Sequence, residues 1–259
     1  MASDPLASLI DLPEVFEAVD AARGSVDALL REVRGPALRR RVPQVTAESL
    51  RRSAWASARL ENGPGAREVD MDDFRPPFTD DVIGATARGA LRVTTELASL
   101  AEVWSRAPGQ CLARLHTLAA ADLVGAELLG RPRSGDGVPE RLAALARLVT
   151  TPTRAPAVIV SAVVLGELLG LQPFQGGSGV VARAAARLVL LGRGLDPQAV
   201  SIPELGLVEL GQAAGQSSLA GYLTGSAAGV GGWIVHWSQA VAVGARAGRD
   251  AAAAVLAGP

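Results

Sequence analysis

Residues Leu169–Arg183 read LGLQPFQGGSGVVAR. An apolar run breaks at Pro173 and Phe174, passes through Gly176, Gly177 and Gly179, and resumes as a helical pattern carrying Arg183. A loop of small residues opening onto a helix lets consecutive main-chain N–H groups converge on one point, and the helix N-terminus adds partial positive charge there. Such a stretch is either an anion cradle built from Gly177, Ser178, Gly179 and Arg183, or a flexible turn between two alanine-rich helices.

Outward from this loop the apolar residues recur at helical spacing, and no run alternates as a half-buried strand does. The pattern predicts an all-α fold with helices over residues 12–33, 46–60, 80–106, 109–124, 139–149, 155–170, 179–191, 203–214 and 227–257. Thr46, with Glu48 in the first turn, and the triplet TDD at Thr79–Asp81 are helix starts; ENGPG at Glu61–Gly65 and GRPRSGDG at Gly130–Gly137 are stops. Residues 1–45 are expected to form an N-terminal helical extension, with Arg34–Pro43 as its connector. Residues 46–257 form the helical domain, and a helix near 46–62 begins it.

The chain of 259 residues is long enough to bury a substantial core without staples. Its net charge is −1 and every basic residue is arginine, scattered along the helices. No basic tract suited to gripping a nucleic-acid backbone results, so nucleic acid is not an expected partner. The single Cys111 cannot form an internal disulfide, and the N-terminal residues lack a basic segment followed by a long apolar one; a cytoplasmic location is expected. Two apolar stretches, Ala155–Leu171 and Gly215–Gly248, are interrupted by Glu167 and by His236, Gln239 and Arg246. They read as buried helices rather than membrane spans.

The segment from Ala155 to Pro197 resembles the central helix, loop and following helix of the Fic (Fido) family, whose signature is H-x-F-x-[DE]-G-N-G-R-x-x-R. Gln172 falls on the histidine, Phe174 on the phenylalanine, Gly176 on the acidic residue and Gly177 on the first glycine. Ser178 falls on the asparagine, Gly179 on the second glycine, Val180 on the first arginine and Arg183 on the last. Cys111–Val124 with the following GRPR is similar to the family's preceding helix and flap, and Tyr222–Val241 resembles its C-terminal helices. SARLEN, Ser57–Asn62, is similar to the inhibitory motif [ST]-x-x-x-E-[GN], in which the glutamate pairs with the last signature arginine. The resemblance therefore implies a Fic-like helical core with an inhibitory helix, and an ion pair between Glu61 and Arg183.

What the family motif does chemically is not supported by the residues present. The family histidine takes a proton from a target hydroxyl that attacks a nucleotide α-phosphate, and Gln172 has no titratable nitrogen. The family carboxylate holds Mg²⁺, and Gly176 offers only a carbonyl. Val180 removes a cation and is expected to put an apolar side chain where a polyanion would lie. Phe174, Gly177 and Gly179 keep the form of the turn. The resemblance thus implies a catalytically degenerate pseudoenzyme: no catalytic residue, no metal, no cofactor, and a protein partner, a second copy of the chain among the candidates. The alternatives are a nucleotidyltransferase of altered chemistry using ATP and Mg²⁺, or a nucleotide or phosphate sensor without turnover.

Other chemistry-bearing residues have plainer readings. His116 and His236 lack a second ligand at helical spacing and read as core or interface histidines. Cys111 reads as a small hydrophobe. Trp55, Trp104, Trp233 and Trp237 read as core, with the pair Trp233 and Trp237 as a possible partner face. Arg131 and Arg133 read as an exposed turn, and Asp196 with Pro197 as a helix stop.

Overall fold

Burying apolar stripes of this length without strands leaves helix-on-helix packing as the way to build a core. The computed structural model describes residues 4–63 and 80–258. Among these, ten helices form: α1 (Val15–Val33), α2 (Val42–Asn62), α3 (Val82–Trp104), α4 (Pro108–Ala120), α5 (Val138–Thr150), α6 (Ala157–Leu171), α7 (Ser178–Gly192), α8 (Pro203–Leu210), α9 (Gln212–Leu223) and α10 (Ala227–Ala257). Short 3-10 turns cover Ala7–Asp11 and Ala126–Leu128, and no strand occurs among the described residues.

The centre is the pair α6 and α7. Helix α6 is apolar around its whole circumference, and Ile159, Val164, Leu165 and Leu168 are fully enclosed. A helix without a polar face is stable only when neighbours cover every side. Here α7, α9 and α10 pack on it, with weaker cover from α1 and α5. Helix α7 is buried from Ser178 to Leu190, between α6 and the α2–α3 pair. No helix is long and apolar enough to cross a membrane among the described residues.

Several expected boundaries shift. Helix α2 starts at Val42, with Pro43 in its first turn, where a missing N–H costs nothing. Thr46 is accordingly inside the helix, and its hydroxyl donates to Gln198 O at 2.8 Å. The start of α3 is capped by Asp81, whose carboxylate accepts the Gly84 N–H at 2.9 Å; Thr79, Pro64 and Gly65 lie outside the described residues. The expected helix over 203–214 is two helices, because Gly211 at φ +90° breaks the chain between α8 and α9. Helix α9 escaped the sequence reading because its glycines and serines weaken helix propensity. Residues 1–45 were expected as an extension; Val19, Ala22, Val26, Leu29 and Val33 of α1 lie in the main core, against α10.

The four tryptophans are buried. Trp233 donates to Ala162 O and Trp237 to Ser161 Oγ, both at 2.7 Å, so this pair fastens α10 to α6 and does not face a partner. Cys111 is buried beside Leu100 O, and burial pushes its thiol pKa up. Gly244 allows a close approach: Ile202 donates its N–H to Gly244 O at 2.9 Å, and a β-carbon on Gly244 would collide with the main chain of Ile202 and Pro203.

Candidate functional site

The loop between α6 and α7 is shaped by left-handed residues at both ends. Gln172 ends α6 at φ +46°, and Gly176 and Gly177 follow at φ +71° and +64°. The glycines adopt this region without steric penalty. Pro173 and Phe174 are buried between them, and the Phe174 N–H reaches Ser178 Oγ at 3.4 Å. The Gln172 side chain folds back on its own helix, donating to Leu169 O at 2.9 Å.

His116 on α4 organises the loop from beneath. Its ring stacks on Phe174 with centroids 4.4 Å apart. Its Nε2 lies 3.1 Å from Gln175 O and 3.2 Å from Gly176 O, while Nδ1 accepts the Gly130 N–H at 3.0 Å. Carbonyls only accept, so Nε2 carries the proton and Nδ1 is bare. Burial lowers the His116 pKa, against the opposing pull of the two carbonyls. The ring is thus a neutral strut joining α4, the loop and the segment after α4, as the core reading expected.

That following segment also grips the loop. Arg133 donates from Nε to Gln172 O at 2.9 Å and from its terminal nitrogen to Leu171 O at 3.0 Å. Its own N–H donates to Pro173 O at 2.8 Å. Arg133 is exposed, as the turn reading expected, and it has a further role: a helix C-terminus presents unpaired carbonyls, and the guanidinium satisfies two of them. Arg131 remains exposed.

At the start of α7, Glu61 arrives from the last turn of α2. Its Oε1 accepts the Gly179 N–H at 3.2 Å, and its Oε2 accepts from the Arg183 guanidinium at 2.9 Å. Arg183 also donates to Ser57 Oγ at 2.9 Å and Ser57 O at 2.8 Å. The Arg183 and Glu61 side chains are 6% and 20% exposed, so the expected ion pair forms and is largely shielded from water. The carboxylate takes the position at a helix N-terminus that suits an anion. Glycine at 179 leaves room for this pair, because a β-carbon would strike the Glu61 carboxylate and crowd Arg183.

The remaining motif positions divide differently from expectation. Gly177, Ser178 and Gly179 are buried, so the cradle is not an open surface. Val180 was expected beside a bound polyanion; it lies instead in the main core, near Ala54, Ala90 and Val93, on the face of α7 that meets α2 and α3. Asn62 stands apart from the site, its amide donating to Ala58 O at 2.9 Å. Asp196 does more than stop a helix: its carboxylate accepts the N–H groups of Val200 and Ser201 and the Ser201 hydroxyl.

Sequence reasoning passed over Arg187, one turn beyond Arg183. It pairs with Glu204 at 3.1 Å, both almost fully buried, and donates to Ser201 O and Ala199 O. The available signal was an arginine four residues after Arg183 on a helix otherwise apolar. A cavity of about 180 Å³ adjoins Arg183, walled by Leu60, Leu169, Leu207 and Trp233 with Gln212 and Gln216 at its edge. Behind it His236 is buried, its Nε2 without a hydrogen-bond partner among the described residues, and burial lowers its pKa.

This all-α arrangement, with α6 and α7 joined by a glycine loop that α4 braces, has the fold of solved Fic proteins. It matches the solved structure of a Fic family protein from Desulfovibrio desulfuricans G20 with a TM-score of 0.66 and 18% identity, over 92% of this chain and 74% of that one. Fic-1 (aa134–508) from C. elegans matches with a TM-score of 0.67 and 15% identity, over 92% and 72% of the two chains. No family model and no curated protein sequence matches the chain.

Proposed function

We propose that the protein is a catalytically degenerate Fic-fold protein that acts by binding a protein partner rather than by nucleotidyl transfer. The observation that carries this reading is the Glu61 carboxylate bound between the Gly179 N–H and Arg183, where a phosphate would otherwise be received. The residues around it support the same reading. Gln172 has no group to take a proton, and its amide is turned back onto α6.

A divalent metal does not fit the position that Gly176 occupies. Gly176 supplies only its carbonyl, and that oxygen already faces the N–H of His116. No group of three or more His, Cys, Asp or Glu side chains suited to a metal occurs among the described residues.

The test is transfer itself. The protein and its Gln172→His variant are incubated with labelled ATP and Mg²⁺, and covalent label on either is measured. Neither is expected to label, because restoring the base leaves Gly176 without a carboxylate and Glu61 in place. Self-modification by the single variant would refute the account. Capture of a defined partner that survives Gln172→His would support the binding role.

A further inference from the structure

A second cavity, of about 400 Å³, is lined by residues of the N-terminal segment, α5, α6, α9 and α10. That volume is in the range of small-molecule sites, roughly 300–1,000 Å³. Its body is apolar: Leu145 and Leu148 of α5, Val163 of α6, Val230 of α10, and Leu6 and Leu9 from the N-terminal segment. One carboxylate enters it, Glu167, the only charge on α6.

A charge on the most apolar helix needs partners, and the arrangement of those partners gives the cavity a polarity. Tyr222 donates to Glu167 Oε1 at 2.8 Å, and Arg141 donates from one terminal nitrogen to Oε2 at 2.7 Å. Both oxygens of Glu167 are thus engaged. Arg141 uses one N–H of its five in this pair, and its side chain is 48% exposed against 26% for Glu167. Tyr222 holds Glu167, and Glu167 holds Arg141, so the guanidinium is fixed at the cavity edge with donors to spare. Gly225, just before α10, and Val230, in its first turn, also line the cavity, so the N-terminus of this 31-residue helix lies beside it and adds positive potential.

The wall made by Leu6 and Leu9 is tied down by a single side chain. Asp4 accepts the N–H groups of Leu6 and Ala7, and also the Thr153 hydroxyl and the Arg154 N–H, each at 2.8–3.2 Å. That wall is therefore anchored to the segment that leads into α6.

We propose that this pocket binds a small amphipathic carboxylate, its apolar tail among Leu145, Leu148 and Val163 and its head on Arg141. A carboxylate matches the planar fork of the guanidinium and can take the N–H donors that the Glu167 pair leaves over. The site is independent of the α6–α7 loop and of the function proposed above.

The test uses calorimetric titration of the full chain with octanoate, octanol and octylamine. Octanoate is expected to bind about tenfold tighter than octanol, as one charge-assisted contact would give. Arg141→Gln should erase that preference while octanol still binds, which reports that the pocket has stayed folded. Ala144→Trp, at an exposed position of the rim, should block both ligands. Equal affinity for octanoate and octanol, a preference unchanged by Arg141→Gln, octanoate binding untouched by Ala144→Trp, or no binding at all would each overturn the proposal.

Discussion

Removing the carboxylate that fills the head of α7 is the perturbation from which most can be learned. Glu61→Ala leaves Arg183 charged and buried, and it leaves the Gly179 N–H without an acceptor. Stranding one member of a buried pair costs about 3–5 kcal/mol. Arg183 keeps its two bonds to Ser57, so the lower end applies, about 3 kcal/mol. In a chain of this size that loss lowers the melting midpoint by about 6–12 °C. The same variant should gain a response to sulfate, because the anion can occupy the position that Glu61 has left. Sulfate at about ten times its Kd would return about 1.4 kcal/mol. Sulfate also stabilises proteins in general, so the readout is the difference between variant and wild-type midpoints across one titration. An unchanged midpoint in Glu61→Ala, or equal sulfate increments in both proteins, would refute the reasoning.

Further outcomes follow from the same contacts. Gly179→Ala should displace the Glu61 carboxylate and cost about as much as Glu61→Ala, and the double variant should fall short of the sum by more than about 0.5 kcal/mol in urea denaturation. Glu204→Leu strands Arg187 in the core and should cost about 3–5 kcal/mol, measured in the same way. His116 and His236 both have pKa values lowered below 6.5, so the unfolded chain binds more protons just below that pH. Stability should be full above pH 6.5 and decline as pH falls below it. His116→Gln should flatten that decline in melts between pH 7.5 and 5.5; an unchanged slope would contradict the neutral strut.

Much of this molecule is legible in its sequence because much of it is periodic. The continuous apolar run from Val158 to Leu168 and the helical spacing of Val180 to Leu190 mark two helices that the structure buries almost completely. The partnership of Glu61 and Arg183 was expected from the resemblance to an inhibitory motif; no local pattern states a contact between residues 122 apart. What escaped has a common physical character. His116, Arg133 and Asp196 act on main-chain atoms, and a main-chain atom leaves no letter in the sequence to pair with. Arg187 and Glu204 sit in separate helices, α7 and α8, and meet only in the folded chain. Val180 was assigned to the wrong environment because a motif position gives no direction to a side chain, whereas the helix phase turns this one toward α2 and α3.

The way His116 and Arg133 hold the loop bears on how such a chain can drift. Both grip carbonyls of residues 171, 172, 175 and 176, atoms that every amino acid supplies. Substitution at Gln172, Gln175 or Gly176 changes a side chain without removing a single one of these bonds, provided the left-handed turn is kept. The architecture of the loop is therefore insulated from its chemical lettering. A comparison that reads letters finds little to align, while one that reads backbone paths finds a match over 92% of the chain.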